Sequence, residues 1–220
     1  MLTPGVGDLK TGELIMGYLP RGGFALRWAG KGDTMSSPIP GVHGGRLAVK
    51  LPGSKTEAWE YTIETPQGGK ISGAGLVSLA ETQTALYNRV PDLLKGQPAV
   101  TVTLSVDESG LLWTATLRSA AKEKGLSGTA GDRDGALLEA LRAALQALKR
   151  PSKLRIVEPS GRLYDLVLAS CLPVAREVEA SEPTALESEI RQLAVPHFVE
   201  FARESNPQKR PLFPAQATAP

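Results

Sequence analysis

Val100-Thr101-Val102-Thr103-Leu104-Ser105-Val106, Asp107-Glu108-Ser109-Gly110 and Leu111-Leu112-Trp113-Thr114-Ala115-Thr116-Leu117-Arg118 follow one another without a break. Val102, Leu104 and Val106 alternate with Thr101, Thr103 and Ser105, the period of a strand with one buried face. Asp107 to Gly110 supplies a turn, because Gly tolerates positive φ and Asp and Ser bond back to nearby backbone. Trp113, Ala115 and Leu117 then alternate with Thr114, Thr116 and Arg118, so the stretch reads as a hairpin. Lys124–Thr129 gives a shorter third strand. Asp132 and Asp134 both qualify as helix N-caps, and Leu137, Leu138, Leu141, Ala144, Leu145 and Leu148 follow at helical spacing.

This three-strand-plus-helix order can be laid over both flanks. Val106 to Trp113 lies over Val157 to Tyr164 without a gap, which places Tyr164 on Trp113. Upstream, Trp59 is placed on Trp113, and Lys70-Ile71-Ser72-Gly73 lies near Gly125-Leu126-Ser127-Gly128 after one gap. A recurrence of about fifty residues is within the range of repeat architectures. The expected fold is therefore α+β, with tandem βββα units, an N-terminal β-hairpin and a disordered C-terminal tail. The expected divisions are 1–43 (hairpin and loop), 44–97, 98–150 and 151–204 (three units), and 205–220 (tail).

In chain order, Leu14–Leu19 and Phe24–Ala29 flank Pro20-Arg21-Gly22-Gly23 as a hairpin, with Phe24, Leu26 and Trp28 on one face. Gly30–Gly45 reads as a loop, since Pro38 and Pro40 block regular structure. Strands are expected near Arg46–Leu51, Ala58–Glu64 and Lys70–Val77, then a helix from about Leu79 that Pro91 ends or kinks at Val90. Leu154–Val157 and Arg162–Ala169 read as strands, with Leu172–Val178 a third. Leu163–Leu168 is largely apolar on both parities, which implies cover on both faces. Thr184-Ala185-Leu186-Glu187 fits a capping box, and Leu186, Ile190, Leu193, His197, Phe198 and Phe201 continue one helical side with a kink at Pro196.

The chain has 220 residues, 41% hydrophobic and 22% charged, with a formal net charge of +2. That composition is globular, and the near balance of charge means that any nucleic-acid surface must be a local patch. Cys171 is the single cysteine, which excludes an internal disulfide and a thiolate metal cluster. The start of the chain fits no signal peptide and no apolar run approaches a membrane span, so no membrane is expected and the cytoplasm is the default location.

Catalytic chemistry has little support in the residues. His43 and His197 lie far apart, and His197 on an apolar side reads as a satisfied core histidine. Arg21-Gly22-Gly23 and Gly44-Gly45 match no phosphate-cradling loop. No cofactor is expected. Carboxylates are the remaining option: the order three strands, helix, strand over Val100–Leu168 resembles the ribonuclease H-like fold. The resemblance implies metal-holding acids on the first strand, the first helix and at the end of the fourth strand. Asp107 matches the first place. Glu139 stands near the second, where the closest register puts Leu137. Glu158 falls one residue before the third, which Pro159 occupies. A divergent metal-dependent nuclease is accordingly the third reading. Gly110–Leu117, Gly131-Asp132 and Ala136–Leu148 also resemble the small antitoxin domains of the HicB type, which use a partial ribonuclease H-like fold. That resemblance implies a non-catalytic domain that associates through strands or helices.

Strand parity turns Trp113, Trp59 and Tyr164 inward, so they form no stacking platform. It leaves a polar sheet face of Thr101, Thr103, Ser105, Thr114, Thr116 and Arg118. Beside it in sequence stand Lys122, Lys124, Lys149, Arg150, Lys153, Arg155 and Arg162, a surface suited to phosphates. The leading expectation is non-enzymatic binding of DNA or RNA. The second is an assembly or adaptor protein. Self-association is expected from the need to cover Leu163–Leu168 and from exposed strand edges. Finally, Gln208-Lys209-Arg210-Pro211-Leu212-Phe213 resembles the short peptides with which bacterial replication proteins dock on the sliding clamp. It implies that Gln208 supplies a hydrogen bond while Leu212 and Phe213 fill an apolar pocket.

Overall fold

The computed structural model describes residues 14–19, 22–31, 34–50, 58–76, 78–170 and 184–202. In chain order its elements are β1 (Leu14–Leu19), β2 (Gly22–Arg27), β3 (Ala29–Lys31), β4 (Thr34–Pro38), β5 (Arg46–Lys50), β6 (Trp59–Glu64), β7 (Lys70–Leu76), α1 (Leu79–Leu93), β8 (Val100–Val106), β9 (Leu112–Arg118), β10 (Glu123–Thr129), α2 (Arg133–Ala147), β11 (Lys153–Val157), α3 (Arg162–Ser170), α4 (Ala185–Ala194) and β12 (Phe198–Phe201). The architecture is α+β. One sheet has the order β1-β2-β12-β11-β8-β9-β10, the other β3-β4-β5-β6-β7.

The seven-stranded sheet is built around β8. The meander β8-β9-β10 is antiparallel, whereas β11 pairs parallel with both β8 and β12. Parallel pairing requires a crossover, and α2 provides it. Asp132 caps α2 by accepting the N–H of Gly135 at 2.8 Å. Its apolar side, with Ala136, Leu137, Ala140, Leu141, Ala144 and Leu145 buried, lies on Val102, Leu104, Trp113, Ala115, Leu117, Leu154 and Ile156. The small Ala residues let the helix come close to the pleat, and the Leu side chains fill the space between. α4 closes this core with Ile190. Its first turn carries the full capping box, in which Glu187 N–H donates to Thr184 Oγ1 and Thr184 N–H donates to Glu187 Oε2.

A second core joins the two sheets. Phe24, Leu26 and Trp28 face inward together, as their shared parity requires, and Phe24 stacks on Phe198 at 5.7 Å between ring centroids. Met35, Leu47, Val49, Tyr61 and Ile63 from the five-stranded sheet and Leu86, Val90 and Leu94 from α1 complete it. Among the described residues, the seven-stranded sheet thus carries α2, α3 and α4 on one face, while the other face is covered around β2 and β12.

Four expectations need correction. Arg162–Ala169 is not a strand but lies within α3. A run apolar on both parities cannot separate buried strand from helix by period alone. What decides it is the entry, where the Glu158 carboxylate accepts the N–H groups of Ser160 at 2.8 Å and Leu163 at 3.2 Å. Trp113 and Tyr164 therefore sit in different kinds of element, and the overlay of the third unit on the second fails. With it goes the argument that a strand at Leu163–Leu168 needs outside cover. Second, α4 stops at Ala194, before Pro196, and Phe198–Phe201 forms β12 between β2 and β11 instead of continuing the helix. Third, the proline-containing stretch read as a loop holds β3 and β4, with Pro38 tolerated at the last position of β4. Fourth, α1 runs on to Leu93 with Pro91 inside its final turn, where a single backbone hydrogen bond is forgone. The proposed strand Leu172–Val178 and the tail from Ser205, with Gln208, Leu212 and Phe213, lie outside the described residues.

Candidate nucleic-acid interface

The uncovered face of β8, β9, β10 and β11 is set by the parity that buries the other face. Cross-strand register places Ser127, Thr114 and Ser105 in one row, and Gly125, Thr116, Thr103 and Val157 in the next. The third row is Glu123, Arg118, Thr101, Arg155 and Glu200. Ser105 and Thr114 hydroxyls meet at 2.7 Å. Such side chains offer both donors and acceptors to a ligand laid across the strands.

The third row lies at the end of the sheet where β8 and β11 begin and β9 ends. The β9–β10 turn brings Lys122 to that end, closed by Ser119 N–H donating to the Lys122 carbonyl at 2.8 Å. α2 runs back along the sheet, so Lys149 and Arg150, which link it to β11, arrive there too. Arg118, Lys122, Lys149, Arg150 and Arg155 are all exposed. Two connections, β9–β10 and α2–β11, and the strands β9 and β11 thus bring these five cations to one end of the sheet, the basic rim at which the third row lies.

The remaining three cations are employed differently. Lys153 is mostly covered: its ammonium donates to the Leu94 carbonyl at 3.4 Å and stands 3.8 Å from Glu200, tying α1 to β12. Lys124 pairs with Leu117 across the strands, so its side chain is on the helix face of β10. A charge pointing inward from an edge strand disfavours strand-to-strand pairing with another chain. Arg162 lies at the opposite end of the sheet, where its guanidinium grips Asp134 with two bonds of 3.0 and 2.6 Å. This pairing lowers the Asp134 carboxyl below the usual aspartate range and raises the Arg162 guanidinium.

Two acidic residues of the rim escape a sequence reading. Glu123 accepts from Arg118 Nε at 2.8 Å, and both side chains are more than half exposed. The hairpin register could have revealed that pair. Glu200 could not be found so easily, because Phe198–Phe201 reads as helix.

The three acids singled out by the ribonuclease H-like resemblance are bound into local structure. Asp107 accepts from Ser109 Oγ and from the N–H groups of Leu111 and Leu112, and the Ser109 bond leads in holding its carboxyl below the usual range. Glu139 pairs with Arg142 at 2.6 Å, and Glu158 forms the entry to α3. Among the described residues no three His, Cys, Asp or Glu side chains gather in a metal-binding group.

No protein-family model and no curated protein matches the chain. His197, the other ionisable group singled out, is buried where α4 passes into β12. Its Nδ1 accepts the Ser152 N–H at 3.2 Å, and burial pulls its pKa down to about 4. It is a neutral core side chain remote from the rim in role, fixing the approach to β11. Among the described residues no helix is long and apolar enough to cross a membrane.

Proposed function

We propose that the protein is a non-enzymatic nucleic-acid-binding protein. The observation that carries this reading is the basic rim of Arg118, Lys122, Lys149, Arg150 and Arg155 opening onto rows of Thr and Ser hydroxyls. Cations at the border place phosphates, and hydroxyls within reach add hydrogen bonds that fix register without reading bases. The order of three antiparallel strands, crossover helix and parallel strand supports kinship with ribonuclease H-like domains. The engagement of Asp107, Glu139 and Glu158 in turns and ion pairs favours a binding role over metal-dependent cleavage.

The test is a fluorescence-anisotropy titration of the full chain with DNA and RNA probes at two salt concentrations. Charge reversal at Lys149, Arg150 and Arg155 is expected to weaken binding steeply, while Arg162→Ala, at the far end of the sheet, leaves it unchanged. Equal affinity of the reversed and unaltered proteins would remove the rim from consideration.

A further inference from the structure

Resting on that reading, we infer that the rim takes the phosphate backbone of a duplex, without regard to sequence and in preference to a single strand. Two placements lead to this. First, among the described residues the aromatic rings of this half of the molecule pack inside: Trp113 is buried under α2, and Tyr164 packs edge-on against Phe201 at 5.3 Å. The open face presents hydroxyls, glycine and arginine where a single-strand binder stacks bases on rings, a contact worth about 1–3 kcal/mol per base. Second, Arg118 and Arg155 flank Thr101 in one row, two strand spacings apart or roughly 10 Å. The pair can engage phosphates on either side of the Thr101 hydroxyl.

With stacking absent from the face, affinity comes from neutralised phosphates and the counterions they release. That contribution grows with linear charge density, and a duplex carries one charge per about 1.7 Å, twice the density of either strand. Contacts to sugar and phosphate alone carry no base information. Glu123 and Glu200 at the two ends of the row bound the cationic strip and keep it to the width of the three strands between them.

The experiment uses the full chain, a short DNA duplex of arbitrary sequence, a second of scrambled sequence, and each component strand, read by anisotropy. The expected result is duplex binding about tenfold or more tighter than binding of either strand, equal for the two sequences. Five neutralised phosphates give a log–log salt slope near −4.5, a loss of about 500-fold between about 50 and about 200 mM salt. Arg155→Ala should reduce that slope by about 0.9. Single strands bound as tightly as the duplex, or one sequence strongly preferred, would overturn this inference and leave the nucleic-acid reading standing. Absence of binding to every probe would overturn both.

Discussion

The indole of Trp113 lies across Gly128, its cross-strand partner in β10, so closely that a methyl group at Gly128 would collide with the ring. Tyr61 and Gly73 stand in the same relation between β6 and β7. In both antiparallel meanders a glycine on the third strand makes room for an aromatic ring from the second, and that ring then fills the core beneath the following helix. The equivalence of Gly73 with Gly128 is visible in the sequence overlay. The aromatic partner is Tyr61, not Trp59, which lies opposite Leu76.

Gly128→Ala is accordingly expected to destabilise the fold by about 1–3 kcal/mol through overpacking, although alanine ordinarily restricts the unfolded chain more than glycine does. Gly125, three residues earlier, has open space around it and lies on the uncovered face. Gly125→Thr should raise stability, by up to about 1 kcal/mol, since a β-branched residue suits a strand. Urea unfolding of the two variants checks both signs. Equal effects at the two glycines would contradict the ring-over-glycine account.

The central meander and α2 were legible because each carries one clear period and a capping residue. Elsewhere the physical signals overlapped. Leu163–Leu168 is apolar at every second and every third position, so its period was uninformative and the Glu158 carboxylate decided its conformation. Phe198–Phe201 continues the apolar spacing of α4 through Pro196, which hid β12 and with it Glu200. The basic residues were visible as a cluster in sequence, but proximity in the chain misplaced one of them. β11 carries the chain about 17 Å along the sheet, so Lys149 and Arg162 end on opposite borders. What brings Arg118 and Lys122 to Lys149 is the return of α2, a property of topology and not of spacing.

Buried His197 makes stability depend on pH in a window below neutrality. Its pKa falls from 6.5 to about 4 on folding, chiefly through burial, so between those values the unfolded chain binds a proton that the folded chain refuses. Stability from this group is full above pH 6.5 and is lost as the pH falls towards 4, by about 3 kcal/mol in all. His197→Asn keeps an acceptor for the Ser152 N–H and does not titrate. The variant should show a flatter stability profile across this window. Below it both proteins decline together, as carboxylates held low by partners, such as Asp134 beside Arg162, become protonated. Denaturant midpoints measured at several pH values decide the matter; parallel profiles between pH 6.5 and 4 would exclude His197 as the source.

Glu123 competes with phosphate for Arg118. The ion pair is exposed, so it contributes little to folding, and an exposed pair of up to about 1 kcal/mol would restrain binding by at most roughly fivefold. Glu123→Gln removes the negative charge and keeps an oxygen that can accept from Arg118 Nε. Two consequences separate a role in binding from a role in the fold. Thermal stability should barely change, because the β9–β10 ladder and its turn do not depend on this pair. Affinity for duplex DNA should rise by about two- to fivefold at low salt, with the gain shrinking as salt screens the rim. In the Arg118→Ala background the same substitution should gain less, since the cation that Glu123 restrains is gone. If Glu123→Gln tightens binding equally with and without Arg118, the acid acts through the general field of the rim and the competition between Glu123 and phosphate for one guanidinium is refuted.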